Sequence, residues 1–244
     1  MQIIILAAGK GSRMNSALPK VMHKVGDSTM LEHVVHNCNQ VTDDLVLVYS
    51  NHLEPYLDLF LDRCKIVNQE NQLGTAHAVS VAKDKFNNKD IIGVIYGDNP
   101  LITPLIIKEL FQHLNQTKSA IATLAFDYDQ SNQYGRIITD KNGDFLKIVE
   151  TKFANDEEKK ITLCNSGIMA FAPGIIAKYI DKCLIPDPNH PEREFYLTNI
   201  IEVAYNAGEK VSYYKSKEHQ RVVGVNTQEE LLHANNLIRH KQIL

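Results

Sequence analysis

The chain has 244 residues, among them 26 basic and 29 acidic, for a formal charge of −3. That length allows one large domain or two small ones, at roughly 100–200 residues each, and a chain of this size buries about 70–75% of its unfolded surface without needing a staple. The near-balance of charge leaves no electrostatic footprint for nucleic acid. With 44% hydrophobic and 23% charged residues, disordered, collagenous and membrane chains are excluded.

In chain order, the first element is a buried strand at Ile3–Ala8. It is too short for a secretory h-region, no positive n-region precedes it, and nothing later approaches the ~18 apolar residues of a membrane span. A glycine-rich turn follows, then a helix at Met30–Asn39 with Thr29 as N-cap. Leu45–Ser50 reads as a strand, Glu54–Arg63 and Thr75–Phe86 as helices, Ile91–Tyr96 as a strand, Pro104–Asn115 as a helix and Ala120–Phe126 as a strand. These strands are apolar on both faces, as parallel strands covered on both sides require. The alternation predicts an α/β fold with a doubly wound, mostly parallel, Rossmann-like sheet.

The second half reads differently. Gly135–Thr139, Phe145–Glu150, Ile161–Phe171 and Lys210–Lys215 are strand-like, with a hairpin turn at Lys141-Asn142-Gly143-Asp144. Helices are expected at Gly174–Asp181, Phe195–Ala207 and Gln228–His240, a loop at Ile185–Arg193 and a charged surface connector at Asn155–Lys160. The later hairpins then build over the sheet of a single domain, 1–244. Residues 1–117, 118–227 and the C-terminal helix 228–244 are its three stretches.

Cys38, Cys64, Cys164 and Cys183 are scattered without a CxxC pair, which predicts reduced thiols in a cytoplasmic protein. His33 and His36 lie three apart on a helix, but no HExxH accompanies them, so no zinc pair is assigned.

The segment richest in chemistry is Leu6-Ala7-Ala8-Gly9-Lys10-Gly11-Ser12-Arg13-Met14, followed by Leu18-Pro19-Lys20. Glycines there let backbone N–H groups approach a phosphate, and Arg13 and Lys20 add charge. The P-loop pattern fails because Gly11 follows Gly9-Lys10, and the dinucleotide fingerprint fails because Met14 occupies its third glycine position. Taken alone, the segment is equally a mobile turn with solvated charges.

LAAGKGSRM followed by LPK resembles the signature of the sugar-phosphate nucleotidyltransferases. Gln69-Glu70-Asn71-Gln72-Leu73-Gly74-Thr75-Ala76-His77-Ala78, Tyr96-Gly97-Asp98, Tyr134-Gly135-Arg136-Ile137, Ile148-Val149-Glu150, Asn165-Ser166-Gly167-Ile168, Glu194-Phe195-Tyr196-Leu197-Thr198 and Gly224-Val225-Asn226 strengthen the match. The set is similar to the uridyltransferase domain of the bacterial N-acetylglucosamine-1-phosphate uridyltransferases and covers nearly the whole chain. The resemblance implies Mg²⁺-dependent transfer of UMP from UTP to N-acetylglucosamine 1-phosphate, a step toward peptidoglycan and lipopolysaccharide. UTP and the sugar phosphate are the expected partners, with neither nucleic acid nor membrane.

By the same resemblance, Arg13 and Lys20 stabilise charge at the reacting phosphorus, and Asp98 with Asn226 holds Mg²⁺. Leu6, Ala7, Ala8, Gly9, Gln69, Gly74 and Thr75 line the nucleotide side, and Tyr96, Gly97, Gly135, Glu150 and Asn165 the sugar side. A glutamine amide at Gln69 offers both a donor and an acceptor to the uracil imide. Asn99 receives no role. Read from residues alone, Asp98 also suits a turn or N-cap, and Gly74-Thr75 a helix start.

Three rivals stand beside this reading: a different sugar 1-phosphate, a non-catalytic nucleotide-sugar sensor, and molybdopterin guanylyl transfer. The last shares the LAAG-type turn but not the sugar-side motifs. The family's bifunctional members continue into a left-handed β-helix that acetylates glucosamine 1-phosphate and builds a trimer. No hexapeptide repeat occurs in this sequence. The expectation is therefore a uridyltransferase, natural or cut at the domain boundary, without acetyl-CoA-dependent activity or that trimer.

Overall fold

A computed structural model describes residues 1–128, 133–186 and 194–239. Its strands are β1 (Gln2–Leu6), β2 (Lys24–Val25), β3 (Ser28–Thr29), β4 (Leu45–Tyr49), β5 (Lys65–Asn68), β6 (Ile92–Tyr96), β7 (Ile121–Asp127), β8 (Arg136–Thr139), β9 (Phe145–Val149), β10 (Leu163–Phe171) and β11 (Val211–Lys215). The helices are α1 (Met30–Asn39), α2 (Thr75–Ser80), α3 (Pro104–Thr117), α4 (Asp156–Lys159), α5 (Ile175–Tyr179), α6 (Asn199–Asn206), α7 (His219–Val222) and α8 (Gln228–Arg239).

The main sheet runs β11-β7-β10-β6-β1-β4-β5, with the β8–β9 hairpin attached to β10. Pairs β1–β4, β1–β6, β4–β5 and β7–β11 are parallel, while β10 is antiparallel to both β6 and β7. The doubly wound, mostly parallel sheet is therefore present. Alternation along β1 sends Ile3 and Ile5 into a core shared with Leu31, Val34, Ile106 and Leu110. Ile4 and Leu6 point into a second core with Ala76, Ile176 and Ile200. Side chains on successive strand residues face opposite sides, so each face of the central sheet is sealed by its own helices. From β1 the chain winds outward to β4 and β5, then crosses back to β6 on the other side of β1. That reversal opens a crevice at the carboxyl ends of β1 and β6, where open α/β sheets bind ligands.

Helix α1 begins in a capping box, with Thr29 Oγ1 accepting from the Glu32 N–H at 3.2 Å and Glu32 Oε2 accepting from the Thr29 N–H at 2.7 Å. The Thr29 backbone donor is the main cause holding the Glu32 carboxyl below its ordinary range. Thr29→Ala is expected to cost about 1 kcal/mol in chemical denaturation. The Glu32 contribution is complete above the unfolded carboxyl pKa and fades as pH falls through the lowered folded value. An unchanged denaturation midpoint at neutral pH would contradict it.

Beyond the short elements β2, β3, β5 and α7, which are not expected from the sequence, four expected elements differ, three with an identifiable reason. The helix expected at Glu54–Arg63 is a 3₁₀ run, Asn51–Leu59, with Pro55 inside it; proline removes the donor an α-helix needs there. The helix expected from Phe195 starts at Asn199, because Phe195 is held extended by its N–H on the Leu73 carbonyl (2.8 Å) and its carbonyl on the Ala76 N–H (2.8 Å). The charged connector forms the one-turn helix α4, capped reciprocally by Asn155 and Glu158. The expected Thr75–Phe86 helix ends at Ser80, with a 3₁₀ turn at Lys83–Lys85. The remainder of the expected Ile185–Arg193 loop beyond residue 186, and residues 240–244, lie outside the described residues.

All four cysteines are buried, and none is in a disulfide. Burial raises Cys38, and pushes Cys64 and Cys183 up to about 12, so none of these three is a reactive thiolate. His33 meets the Val25 carbonyl at 2.7 Å and His36 meets Gln40 at 2.8 Å, so both predicted non-ligands have protein partners.

Candidate active site

The glycine-rich turn leaves β1 at the crevice. Gly11 adopts φ 62°, and a Cβ there would lie 2.5 Å from Lys20 Cβ. Only glycine permits both the left-handed backbone and that approach. None of the N–H groups of residues 9 to 13 donates to another described residue, so the turn presents unspent donors, as an anion cradle does. Beside it lies a cavity of about 260 Å³ lined in part by Gly9, Lys10, Lys20, Ser50 and His52. Leu6 and Ala7 are committed to the sheet instead: the Leu6 carbonyl accepts from Gly97 N–H (2.9 Å), and Ala7 N–H donates to Val48 (2.8 Å). Gly97 is the point where β6 passes under the turn, its α-carbon packed beneath Ala7, Val21 and Leu31.

Across the crevice the predicted charged residues meet. Lys20 Nζ is paired with Asp98 Oδ2 and donates to Asn226 Oδ1 at 3.0 Å. Arg13 donates to the same Asn226 oxygen at 3.1 Å and to Gln133 Oε1 at 2.6 Å. The Lys20 and Asp98 side chains keep only 13% and 16% of their exposure, so removing either leaves the other's charge poorly solvated. Asp98 follows β6, and its carbonyl accepts from the Val225 N–H at 2.8 Å, which lays the Asn226 segment alongside.

Two hard oxygens, Asp98 Oδ2 and Asn226 Oδ1, thus converge on a single cationic nitrogen. A carboxylate and an amide oxygen around a position already taken by a cation suit Mg²⁺, which prefers few protein ligands with water and phosphate completing its shell. Among the described residues no group of three or more His, Cys, Asp or Glu forms a cage.

On the expected nucleotide side, Gln69 is buried and its Nε2 donates to the Gly74 carbonyl (3.1 Å) and lies 3.0 Å from His77 Nδ1. Both amide hydrogens are therefore spent, and the acceptor Oε1 is what Gln69 can offer a base. The Thr75 hydroxyl accepts from Leu197 N–H at 2.8 Å.

On the expected sugar side, Gly135, Glu150 and Asn165 come together. The Gly135 carbonyl accepts from Asn165 N–H at 2.8 Å, and Gly135 packs beside the Glu150 carboxylate. Glu150 Oε1 accepts from Thr198 Oγ1 at 2.8 Å. Asn165 is buried, and its Oδ1 accepts from Thr123 Oγ1 (2.6 Å) and Gly167 N–H (3.2 Å), leaving its amide donors for a ligand. Tyr96 lies between the halves: burial raises its hydroxyl pKa, and the carboxylates of Glu150 and Asp98 add to that rise. It stays a neutral phenol at working pH.

Residue-level reading missed Gln133, Thr123, Thr198, Tyr134, Gly167 and Asn99. Gly167 belongs to a quoted motif, and the Tyr96 ring packs so closely that a Cβ there would sit 2.8 Å from Cε2. Asn99 is 2% exposed and bonded to the Val222 carbonyl. Tyr134 and Thr198 also lie in the motifs named above, whereas nothing local in the sequence marks Gln133, Thr123 or Asn99, because each meets its target only through the sheet's crossovers.

A glycine-rich turn with unspent N–H groups, a cationic pair and a convergent oxygen pair thus meet at the switch point of a doubly wound sheet, the architecture of a nucleotidyltransferase-type domain. The chain belongs to the MobA-like NTP transferase domain family, whose profile matches residues 3–167, and to the family of GlmU proteins that these relatives represent. It is 37% identical over 239 residues to the bifunctional protein GlmU of Clostridioides difficile, covering 98% of this chain and 51% of that protein. With the bifunctional protein GlmU of Streptococcus agalactiae it shares 38% identity over 241 residues, 98% of this chain and 52% of the relative. The GlmU of Desulfotalea psychrophila is 34% identical over 245 residues, 99% of this chain and 71% of that protein. The chain thus spans about half the length of the first two relatives. Among solved structures, a Bacillus anthracis protein described as a glucose-1-phosphate thymidylyltransferase superposes with a TM-score of 0.75 at 21% identity, covering 98% of this chain and 95% of that one. That likeness shows the fold.

Proposed function

We propose that this protein transfers UMP from UTP to N-acetylglucosamine 1-phosphate, giving UDP-N-acetylglucosamine and pyrophosphate. The observation that carries this reading is the meeting of Lys20, Arg13, Asp98 and Asn226 beside the unspent N–H groups of the glycine-rich turn. Support for the uridylyl branch comes from relatives named GlmU at 34–38% identity, whose similarity runs through the sugar-side motifs.

In this mechanism the sugar phosphate oxygen bonds to the α-phosphorus of UTP as the bond to the β-phosphate bridging oxygen breaks in line. Two anions must be brought together, so the work is positioning and charge neutralisation. Residues 9 to 13 cradle the triphosphate with backbone N–H groups. Lys20 and Arg13 release their hold on Asn226 and turn to the phosphates, where positive charge counters what develops on the reacting phosphorus and its leaving group. Gln69 Oε1 accepts from the uracil imide N–H. Glu150 accepts from sugar hydroxyls, while Asn165 donates to the sugar or its phosphate. Asp98 and Asn226 would hold Mg²⁺, which supplies Lewis-acid neutralisation of phosphate oxygens when bound.

A pyrophosphate-release assay tests the proposal by crossing UTP, CTP, GTP and dTTP with N-acetylglucosamine, glucosamine and glucose 1-phosphates, with and without Mg²⁺. Release should be fastest with UTP and N-acetylglucosamine 1-phosphate and vanish without the metal. No release from that pair overturns the reading. Asp98→Asn, which keeps shape but removes the charge, should raise the Mg²⁺ concentration for half-maximal rate at least tenfold; an unchanged requirement removes Asp98 as its ligand.

A further inference from the structure

The Asn226 segment reaches Asp98 from the far end of the chain, and its backbone is not part of any strand. Three hydrogen bonds from other parts of the fold hold its backbone, and within the C-terminal region the Asn226 N–H donates to Glu230 Oε2 at 2.6 Å. Asn99 Nδ2 donates to the Val222 carbonyl at 2.8 Å. The Val225 N–H donates to the Asp98 carbonyl at 2.8 Å, and the Gly224 N–H donates to the Tyr134 hydroxyl at 3.0 Å. Two of the three anchors therefore come from the adjacent residues Asp98 and Asn99.

We infer that Asn99 is a positioning residue, whose side chain sets the register of residues 222–226 so that Asn226 Oδ1 faces Asp98 Oδ2. The inference rests on the nucleotidyl-transfer reading of this site. Asn99 is itself fixed: it is 2% exposed, its N–H donates to the Tyr96 carbonyl at 3.2 Å and its carbonyl accepts from Ile102 N–H at 3.2 Å. A buried amide held at both backbone ends has little freedom, so the carbonyl it grips is held equally firmly. At Gly224 the segment comes so close that a Cβ there would lie 3.5 Å from Asp98 Oδ1 and 3.6 Å from Asn99 Nδ2. Any slip of the 222–226 backbone thus moves the Asn226 oxygen directly against or away from the carboxylate. Tyr134 braces the same segment from the sugar-side half: its ring packs edge-on to Phe126 at 5.0 Å, and its carbonyl accepts from Thr151 Oγ1 at 2.5 Å.

Partners that orient a metal ligand typically cost 10–100-fold in metal affinity or activity when lost. Asn99→Leu keeps approximate volume and deletes the donor, and Tyr134→Phe deletes the acceptor from the other side. Each should raise the Mg²⁺ concentration for half-maximal pyrophosphate release about tenfold or more, with the KM for sugar phosphate little changed. In the double variant Asn99→Leu/Asn226→Ala the loss should equal that of Asn226→Ala alone, because Asn99 acts through Asn226. Two readouts are independent of turnover. Mn²⁺ binding followed by water-proton relaxation should weaken in Asn99→Leu, and the amides of Gly224 and Val225 should exchange with deuterium faster. Additive losses in the double variant, or wild-type metal dependence with wild-type amide protection in folded Asn99→Leu, overturn the inference. If the wild-type protein releases no pyrophosphate, the functional reading fails, while the amide-exchange and Mn²⁺ results still decide whether Asn99 holds the segment. Should Asn99→Leu not fold, Asn99→Ser, which leaves the donor too short to reach Val222, decides through the same measurements.

Discussion

Replacing Lys20 by alanine is expected to lower kcat about 10²–10³-fold, the usual loss when a preorganised charge-stabilising donor is removed. The physical reason lies in where Lys20 sits. Its Nζ touches Asp98 and Asn226 at once, and its Cβ is packed against Gly11 of the turn, so the ammonium is held where the proposed reaction brings phosphate and metal charge together. Arg13→Ala should behave similarly, since its guanidinium reaches the same Asn226 oxygen at 3.1 Å. Because Asp98 would lose its buried partner, Lys20→Ala should also bind Mn²⁺ alone more tightly than wild type. Steady-state kinetics with circular dichroism as a fold control checks both effects; near-wild-type turnover in either variant removes that residue from the chemistry.

The second large effect is expected at Gly74. Its φ of 113° and ψ of 177° lie in a region that belongs almost entirely to glycine. A Cβ added there would meet the Phe195 carbonyl oxygen at 2.6 Å and its nitrogen at 2.7 Å. Backbone cannot swing aside as a flexible side chain can, so Gly74→Ala must break the junction in which Leu73 and Ala76 bind both sides of Phe195. Strain alone costs about 1–3 kcal/mol, worth roughly 2–4 °C per kcal/mol in a chain of this size. The Gly74 carbonyl also orients Gln69, so KM for the nucleotide should rise more than kcat falls. Calorimetric melting together with nucleotide titration separates the two consequences; an unaltered Tm would show that the junction tolerates the side chain.

Much of the fold was legible because it is written locally. Strands β1, β4 and β6 are aliphatic on both faces, α1 announces its start with Thr29, and Pro104 opens α3 after the cap at Thr103. β5 went unread because an edge strand, here Lys65–Asn68, buries too little to show an apolar run. The start of α6 was misplaced because Phe195 pairs with a segment some 120 positions earlier, a preference no local pattern encodes. The site follows the same rule. Residue types alone left Asp98 as a plain turn residue; only the ordered motifs and their resemblance set it beside Lys20 and Asn226, which are 78 and 206 positions apart from their partners in this cluster. Asn99 escaped even that, since its value lies in a carbonyl 123 positions away.

The Thr75 hydroxyl accepts from the Leu197 N–H, and Thr198, next along the chain, donates to Glu150. The proposed nucleotide and sugar sides are thus joined by one strand of contacts, a hydrogen bond at each end of the Leu197-Thr198 link. A ligand that tightens this strand from one end reduces the ordering left for a ligand at the other, and linkage makes the benefit mutual. Whatever factor the nucleotide contributes to sugar-phosphate affinity, the sugar phosphate must return to the nucleotide.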